Sequence, residues 1–417
     1  MQASSLSSPP FVTILILNWN GKQLLSDCLH PLLKQTYKNY HVILIDNASS
    51  DDSVAFVRAQ FPSVEVVEND HNVGFAKGNN VGLRLPKVRS ADYTILLNND
   101  VVVPHDWLAT FVAEMEQIPN LGVAGCKLLF PNGTIQHLGG VVKFPEVVAQ
   151  HPHQFEADRN QISQAQDADY VTGAAFAISR QALETVGVLD ELFSPFYFEE
   201  VDYCYRVRAV GLRVVLLPNI VAMHDESATM NLTGNRARLF HLNRLRFALR
   251  YVPIDLFDRG FVVAETRRLQ KADVVEQILM RELCLQVLLE LPRTISAERP
   301  STDLIILQRG LLKLRDALDA VPSVAVVPSA ADEWVFASAV PIFGRLIAKT
   351  RTAWFSMGAK WPLKAALDEQ RALNQQLIEA QTTLLARQQG MENVIGQLSA
   401  EVARLQQAQR DQSNETR

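Results

Sequence analysis

The sequence predicts an α/β fold, a mostly parallel sheet flanked by helices, followed by a helical C-terminal region with a coiled-coil tail. Three observations carry this. Up to about residue 250, short β-branched runs alternate with amphipathic stretches. The runs are continuously apolar instead of alternating in polarity, as strands covered on both faces are. Beyond Pro253 glycine becomes sparse, and Leu, Arg, Glu and Ala take over, the composition of packed helices.

In chain order, the expected strands are Val12–Leu17, Val42–Ile45, Val64–Val67 and Tyr93–Leu97, each bounded by polar residues or glycine. Helices are expected over Gly21–Gln35, Asp51–Gln60 and Gly74–Leu85. From Lys143 to Asp169 the pattern fails, and a long mobile loop is expected there. Order resumes at Tyr170–Ile178, then Phe196–Val210 and a strand over Arg213–Leu217, with helices to about residue 320. No internal repeat is evident.

The tail has two parts. Pro341–Lys364 carries Arg345, Lys349, Arg351, Lys360 and Lys364 among aromatic and aliphatic residues, and no acid. Such a segment suits either a helix on an anionic membrane surface or a stripe packed on the preceding helices. Leu377, Leu384, Met391, Leu398 and Leu405 then recur every seventh residue, a coiled-coil signal weakened by Arg387 and Glu401 at companion positions. The expected organisation is a disordered tail over 1–10, a sheet domain over 11–255 and a helical extension over 256–340. The basic amphipathic segment 341–364 and the coiled-coil-like tail 365–417 follow; the latter could pair two copies into a homodimer.

Composition limits the function. At 417 residues, 48% hydrophobic and 20% charged, the chain is globular and long enough for two or three units. A net charge of −5 argues against a nucleic-acid partner, since a protein that neutralises phosphates would be basic. Cys28, Cys126, Cys204 and Cys284 stand far apart, which excludes a cysteine-based zinc cluster or disulfide framework. The first residues do not read as a signal peptide, and no run reaches the roughly 18 apolar residues of a transmembrane helix. A cytoplasmic location, or a peripheral one at the inner face of the membrane, is expected.

Ligands in such sheets bind beyond the carboxyl ends of the strands. Polar residues gather there: Asn18-Trp-Asn-Gly21, Asp46-Asn-Ala-Ser-Ser-Asp51 and Asn98-Asn-Asp100, with the glycine-rich helix start Asn72–Asn80 between the last two. A carboxylate such as Asp46 can accept hydrogen bonds from a ribose or base, and Asp100 is placed to hold a hard cation bridging a diphosphate. Singly, each has a plainer reading as a turn or helix cap.

In conjunction and in order, these segments resemble family-two glycosyltransferases of the GT-A fold, particularly the bacterial rhamnosyltransferase-like branch. The resemblance rests on Ile16-Leu-Asn-Trp-Asn-Gly21, Ile45-Asp-Asn-Ala-Ser-Ser50, Asn72-Val-Gly-Phe-Ala-Lys-Gly-Asn-Asn80 and Leu97-Asn-Asn-Asp-Val101. Val171-Thr-Gly-Ala-Ala175, Phe198-Glu-Glu-Val-Asp-Tyr-Cys204 and the stretch Gly211–His224 complete it, over about residues 11 to 250.

The resemblance implies a nucleotide-diphospho-sugar donor, a glycan or lipid-linked acceptor and a divalent cation, Mg²⁺ or Mn²⁺. It places Asn18, Asp46, Asn72, Gly74, Asn79, Asn98 and Asn99 around the donor. Asp100 and His224 would hold the metal, and only Asp100 is acidic where the family usually has Asp-x-Asp. Glu200 would be the general base of an inverting transfer, with Asp202 the second choice. Without the resemblance, Glu199–Asp202 would be an exposed acidic helix start favoured by the helix dipole. His137, His151 and His153 could reach the acceptor or simply be solvated. Arg236, Arg238, Arg244 and Arg246 could meet an anionic ligand or form the basic face of a helix.

Three other readings compete. A nicotinamide oxidoreductase requires G-x-G-x-x-G after the first strand, where this chain has Asn18-Trp-Asn-Gly-Lys-Gln. A nucleotidyltransferase needs a glycine-rich basic loop at the same place, also lacking. A degenerate transferase domain acting as a scaffold through its coiled coil is opposed by the presence of Glu200, Asp100 and His224.

Overall fold

The computed structural model describes residues 8–225, 236–295, 299 and 301–318. Its elements are β1 (Val12–Asn18), α1 (Lys22–Leu32), β2 (Tyr40–Asp46), α2 (Ser53–Gln60), β3 (Glu65–Glu68), α3 (Gly74–Leu83) and α4 (Pro86–Arg89). Next come β4 (Tyr93–Asn98), β5 (Val101–Val102), α5 (Trp107–Met115), β6 (Leu121–Leu129), β7 (Ile135–His137), β8 (Val141–Lys143) and β9 (Val148–Gln150). The rest are β10 (Gln166–Asp167), β11 (Ala175–Ser179), α6 (Arg180–Thr185), α7 (Glu199–Ala209) and β12 (Arg213–His224). Helices α8 (Arg236–Tyr251), α9 (Ile254–Leu256), α10 (Val263–Leu269), α11 (Val274–Thr294) and α12 (Ser301–Asp316) close the described chain.

The main sheet runs β10-β12-β6-β11-β4-β1-β2-β3, with β5 beside β12 and β7 beside β6. β4, β1, β2 and β3 are parallel neighbours, as are β6 and β12, while β11 lies antiparallel between β4 and β6. Register decides where the chemistry sits. Asn18 is opposite Asp46, and Leu17 is opposite Asn98, so three strands deliver their polar ends to one edge. β12 brings His224 to that edge opposite Val101.

The continuous apolar strands have the predicted cause. Leu15 enters a core on one face of the sheet, whereas Ile14 and Ile16 enter a second core on the other, with α1 and α5. The first of these cores continues without a break through Phe247, Phe257, Leu283 and Leu311 to Leu318. The boundary expected at residue 255 therefore does not divide the core.

Two expectations need correction. The stretch 143–169 is no free loop: β8 and β9 form a hairpin, Val142 and Val147 are buried, and the buried Lys127 ammonium grips Asp158 at 2.9 Å. These pieces are too short to show a period. Strand β6 was not anticipated, because Gly122 and Gly125 lower its strand propensity. Both glycines are required by close approach: a Cβ would lie 2.3 Å from Val207 at the first and 2.4 Å from Val171 at the second. No helix among the described residues is long and apolar enough to cross a membrane. The segments 341–364 and 365–417 lie outside the described residues.

Candidate active site

The ends of β1, β2 and β4 are joined by a net of short polar side chains. Asn18 Nδ2 donates to Asp46 Oδ1 at 3.1 Å and to Ser49 Oγ at 3.2 Å, while Asn18 Oδ1 accepts from Asn99 Nδ2 at 2.9 Å. Asp46 also accepts from the Ser49 backbone N–H at 2.8 Å and from the Ser49 hydroxyl at 2.6 Å. One loop further, Asn47 Nδ2 donates to Asn72 Oδ1 at 3.2 Å, and Asn72 Oδ1 accepts the Gly74 N–H at 2.9 Å. Asn79 is buried and donates to Phe75 O within its own helix at 3.0 Å. Of the expected donor contacts, Asn18, Asp46 and Asn79 are thus nearly closed to solvent, Asp46 at 2% exposure, and form the interior of the net. Asn72, Asn99 and the Gly74 backbone lie nearer its surface.

Helix α3 begins against the loop that leads into α7. Gly74 has φ +82°, and a Cβ there would lie 2.6 Å from Pro195 Cα. The next N–H, of Phe75, donates to Pro195 O at 2.6 Å. Tyr197 and Phe198 then take φ of +79° and +69°, left-handed values that cost a bulky residue on the order of 1–3 kcal/mol each. Buried Asn243 of α8 holds them there, its Nδ2 donating to the carbonyls of Phe193, Phe196 and Tyr197 at 2.8, 2.9 and 3.0 Å. The Phe198 ring packs against Phe240 and Phe247.

This turn starts α7 at Glu199 and Glu200. One oxygen of each, Oε2, is buried with no hydrogen-bond partner. Burial pushes the Glu200 carboxyl up to about 7, and burial plus the Glu200 charge hold Glu199 well above the usual carboxylate range. With Glu199 5% exposed, an exposed, dipole-stabilised helix start is not what forms. Asp202, the second choice for the base, is corrected to a structural role. Fully buried, it accepts from Arg250 Nη1 at 2.8 Å and Tyr251 Oη at 2.7 Å on one oxygen, and from Arg206 Nε at 2.8 Å on the other.

Just after β4 and at the end of β12, Asp100 Oδ1 lies 3.0 Å from His224 Nε2, and both side chains are buried. Asn98, expected at the donor, faces His224 instead, with Nδ2 at 3.3 Å from Nε2. His224 Nδ1 is 2.7 Å from Gln136 Oε1. Adjacent ligand atoms of an octahedral ion with bonds of roughly 2.1 Å stand about 3.0 Å apart, so the pair fits Mg²⁺ or Mn²⁺ as two neighbouring ligands. Among the described residues no group of three or more His, Cys, Asp or Glu side chains has that geometry, so a cation here would complete its shell from the ligand and water. The end of β4 and the start of α7 are linked through a short segment. Ala174 O accepts the Asn98 N–H at 2.9 Å, and a Cβ on neighbouring Gly173 would lie 3.9 Å from Glu200 Cβ.

The remaining candidates are mostly structural. Arg244 pairs with Glu265 at 2.6 and 2.9 Å and binds the Val147 and Glu146 carbonyls. Arg246 pairs with Glu290 at 2.5 Å and Arg238 with Glu282 at 3.3 Å. Arg244 and Arg246 are thus engaged inside the fold, while the Arg238 pair is partly exposed. His137 lies on β7, not in a loop, with Nδ1 2.8 Å from His151 Nδ1, and burial pushes both rings down. His153 is partly exposed, with Nδ1 3.1 Å from Glu156 Oε2. Sequence reasoning passed over Asn243 and Gln136; a lone Asn inside the apolar-basic run of α8 was the available signal for the first, and nothing marked the second.

Residues 13–187 match the family model of glycosyl transferase family 2. An O-antigen biosynthesis protein of Myxococcus xanthus is 32% identical over 236 residues, 53% of this chain and 18% of that protein. An uncharacterized protein of Sinorhizobium fredii is 29% identical over 235 residues, 54% and 25% of the two chains. The hyaluronan synthase of Pasteurella multocida is 23% identical over 240 residues, 52% and 24%. The matched stretch spans a quarter or less of the length of these relatives. Among solved structures, GalNAc-T7 with UDP, GalNAc and Mn²⁺ superposes with a TM-score of 0.49 at 16% identity, covering 66% of this chain and 55% of that one.

Proposed function

We propose that this chain is an inverting, metal-dependent glycosyltransferase of the GT-A type. It moves a sugar from a nucleoside-diphosphate donor to a glycan or lipid-linked acceptor in cell-surface polysaccharide synthesis. The observation that carries the reading is Glu200, a half-buried carboxylate with one buried, unpartnered oxygen at the start of α7, where burial pushes the carboxyl up to about 7. A base with that pKa is half ionised near neutral pH and can take the acceptor hydroxyl's proton as the oxygen attacks the anomeric carbon. The departing diphosphate leaves from the opposite face of the sugar. Asp100 and His224 would hold the cation, which supplies positive charge to that leaving group. The net around Asp46 and Asn99 would shape the nucleotide's seat, with Asn72 and the Gly74 backbone at its rim.

The branch resemblance favours dTDP-rhamnose over UDP- and GDP-sugars as donor. A donor panel assayed for nucleoside-diphosphate release tests the proposal, with release expected from one donor class, abolished by EDTA and restored by Mg²⁺ or Mn²⁺. No release from any nucleotide sugar would favour the scaffold reading, and full release after exhaustive chelation would remove the metal. Peripheral membrane contact through 341–364 and pairing through 365–417 are further proposals from sequence, tested by flotation with anionic vesicles and by sedimentation.

A further inference from the structure

We propose that Gln136 is a positioning residue: it fixes the tautomer of His224 so that Nε2 turns its lone pair toward the place a divalent cation would take beside Asp100. The inference rests on the metal reading above but concerns a side chain that reading does not use. Gln136 lies on β7, 6% exposed, its Oε1 2.7 Å from His224 Nδ1. An amide oxygen only accepts, so Nδ1 carries the proton, and a neutral imidazole then keeps a lone pair on Nε2. Asn98 agrees from the other side, because its Nδ2, a donor, is 3.3 Å from Nε2.

Asp100 Oδ1 stands 3.0 Å from the same Nε2. A lone pair facing a carboxylate oxygen at that distance is repulsive unless positive charge lies between them. A proton on Nε2 would supply it but would set N–H against the Asn98 N–H. A cation held jointly by Nε2 and Oδ1 relieves that repulsion and takes the lone pair in place of the Asn98 N–H, since the ring nitrogen has only one. Gln136 and Asn98 thus both favour an unprotonated Nε2 in the empty site. Such partners of a ligating histidine change metal affinity by about 10–100-fold when removed.

The test uses the full chain, labelled with ¹⁵N-histidine and free of metal. Long-range ¹H–¹⁵N spectra of His224 should show the Nδ1–H tautomer in the wild type and a shift toward Nε2–H in Gln136→Leu. Mn²⁺ binding, followed by electron paramagnetic resonance, should weaken roughly 10–100-fold in Gln136→Leu. It should be restored in Gln136→Glu, whose carboxylate still accepts from Nδ1–H. An Nε2–H tautomer in the wild type overturns the proposal, as does unchanged Mn²⁺ affinity in folded Gln136→Leu. The wild-type spectrum needs no variant, so it decides even if Gln136→Leu does not fold. A wild type that shows the Nδ1–H tautomer yet binds no Mn²⁺ refutes the metal reading and leaves the tautomer assignment standing.

Discussion

Asp46 and Glu200 are the carboxylates singled out for the donor and for the base, and their surroundings are opposite. Asp46 accepts three hydrogen bonds within its own pair of loops and fastens β1 to β2. Glu200 has an oxygen with no partner, in a helix start forced into place by two left-handed residues and the Asn243 amide. One carboxylate is satisfied and holds shape; the other keeps an unsatisfied oxygen, and burial raises its affinity for a proton. Two residues along α7, Asp202 repeats the first pattern, so a single helix presents both solutions within one turn.

Substitutions can break that contrast. Glu200→Gln should lower transfer by about 10²–10⁴-fold with the fold intact, measured as turnover alongside a melting curve. A variant with near-normal turnover would make Glu200 another structural carboxylate. Asp202→Ala should do the reverse through stability: it strands the Arg206 and Arg250 guanidinium groups and should cost about 3–5 kcal/mol in denaturant unfolding. Gly74→Ala puts a Cβ against Pro195 at a positive φ, and should cost roughly 1–3 kcal/mol while loosening the loop before Glu199. Turnover is expected to drop with it.

The smallest effect is the most specific. Glu200 is raised from an ordinary 4.5 to about 7, so the folded chain keeps a proton that the unfolded chain loses first. Stability from this group is complete below about pH 4.5 and is lost as pH rises through 7. Glu200→Gln should flatten that slope, so the variant melts a few degrees above the wild type at pH 8 and no higher at pH 4. Turnover of the wild type should rise over the same interval, as the base ionises.

What could be read from the sequence follows from how local the signal is. Strands β1, β2 and β4 and the polar groups at their ends are contiguous, and parallel pairing brings them together with no further information. Glu200 was legible through its motif. Asp202 stood as the second choice because Arg250 and Tyr251, which hold it, lie on α8. β6 was hidden by Gly122 and Gly125, whose reason is the close approach of Val207 and Val171. Gln136 and Asn243 act entirely through partners 88 and about 50 residues away.

The ion pairs of α8 also bear on how such a chain can be cut or recombined. Arg244 and Arg246 reach Glu265 and Glu290, beyond the point where the family resemblance ends. Asn243, between the motif-bearing part and those partners, sets the loop that aims Glu200. A breakpoint placed near residue 255 would leave two interior guanidinium groups without counter-charges. A fusion joint that keeps these contacts and the shared core therefore lies beyond Leu318, and the helices after α8 belong with the sheet as one folding unit.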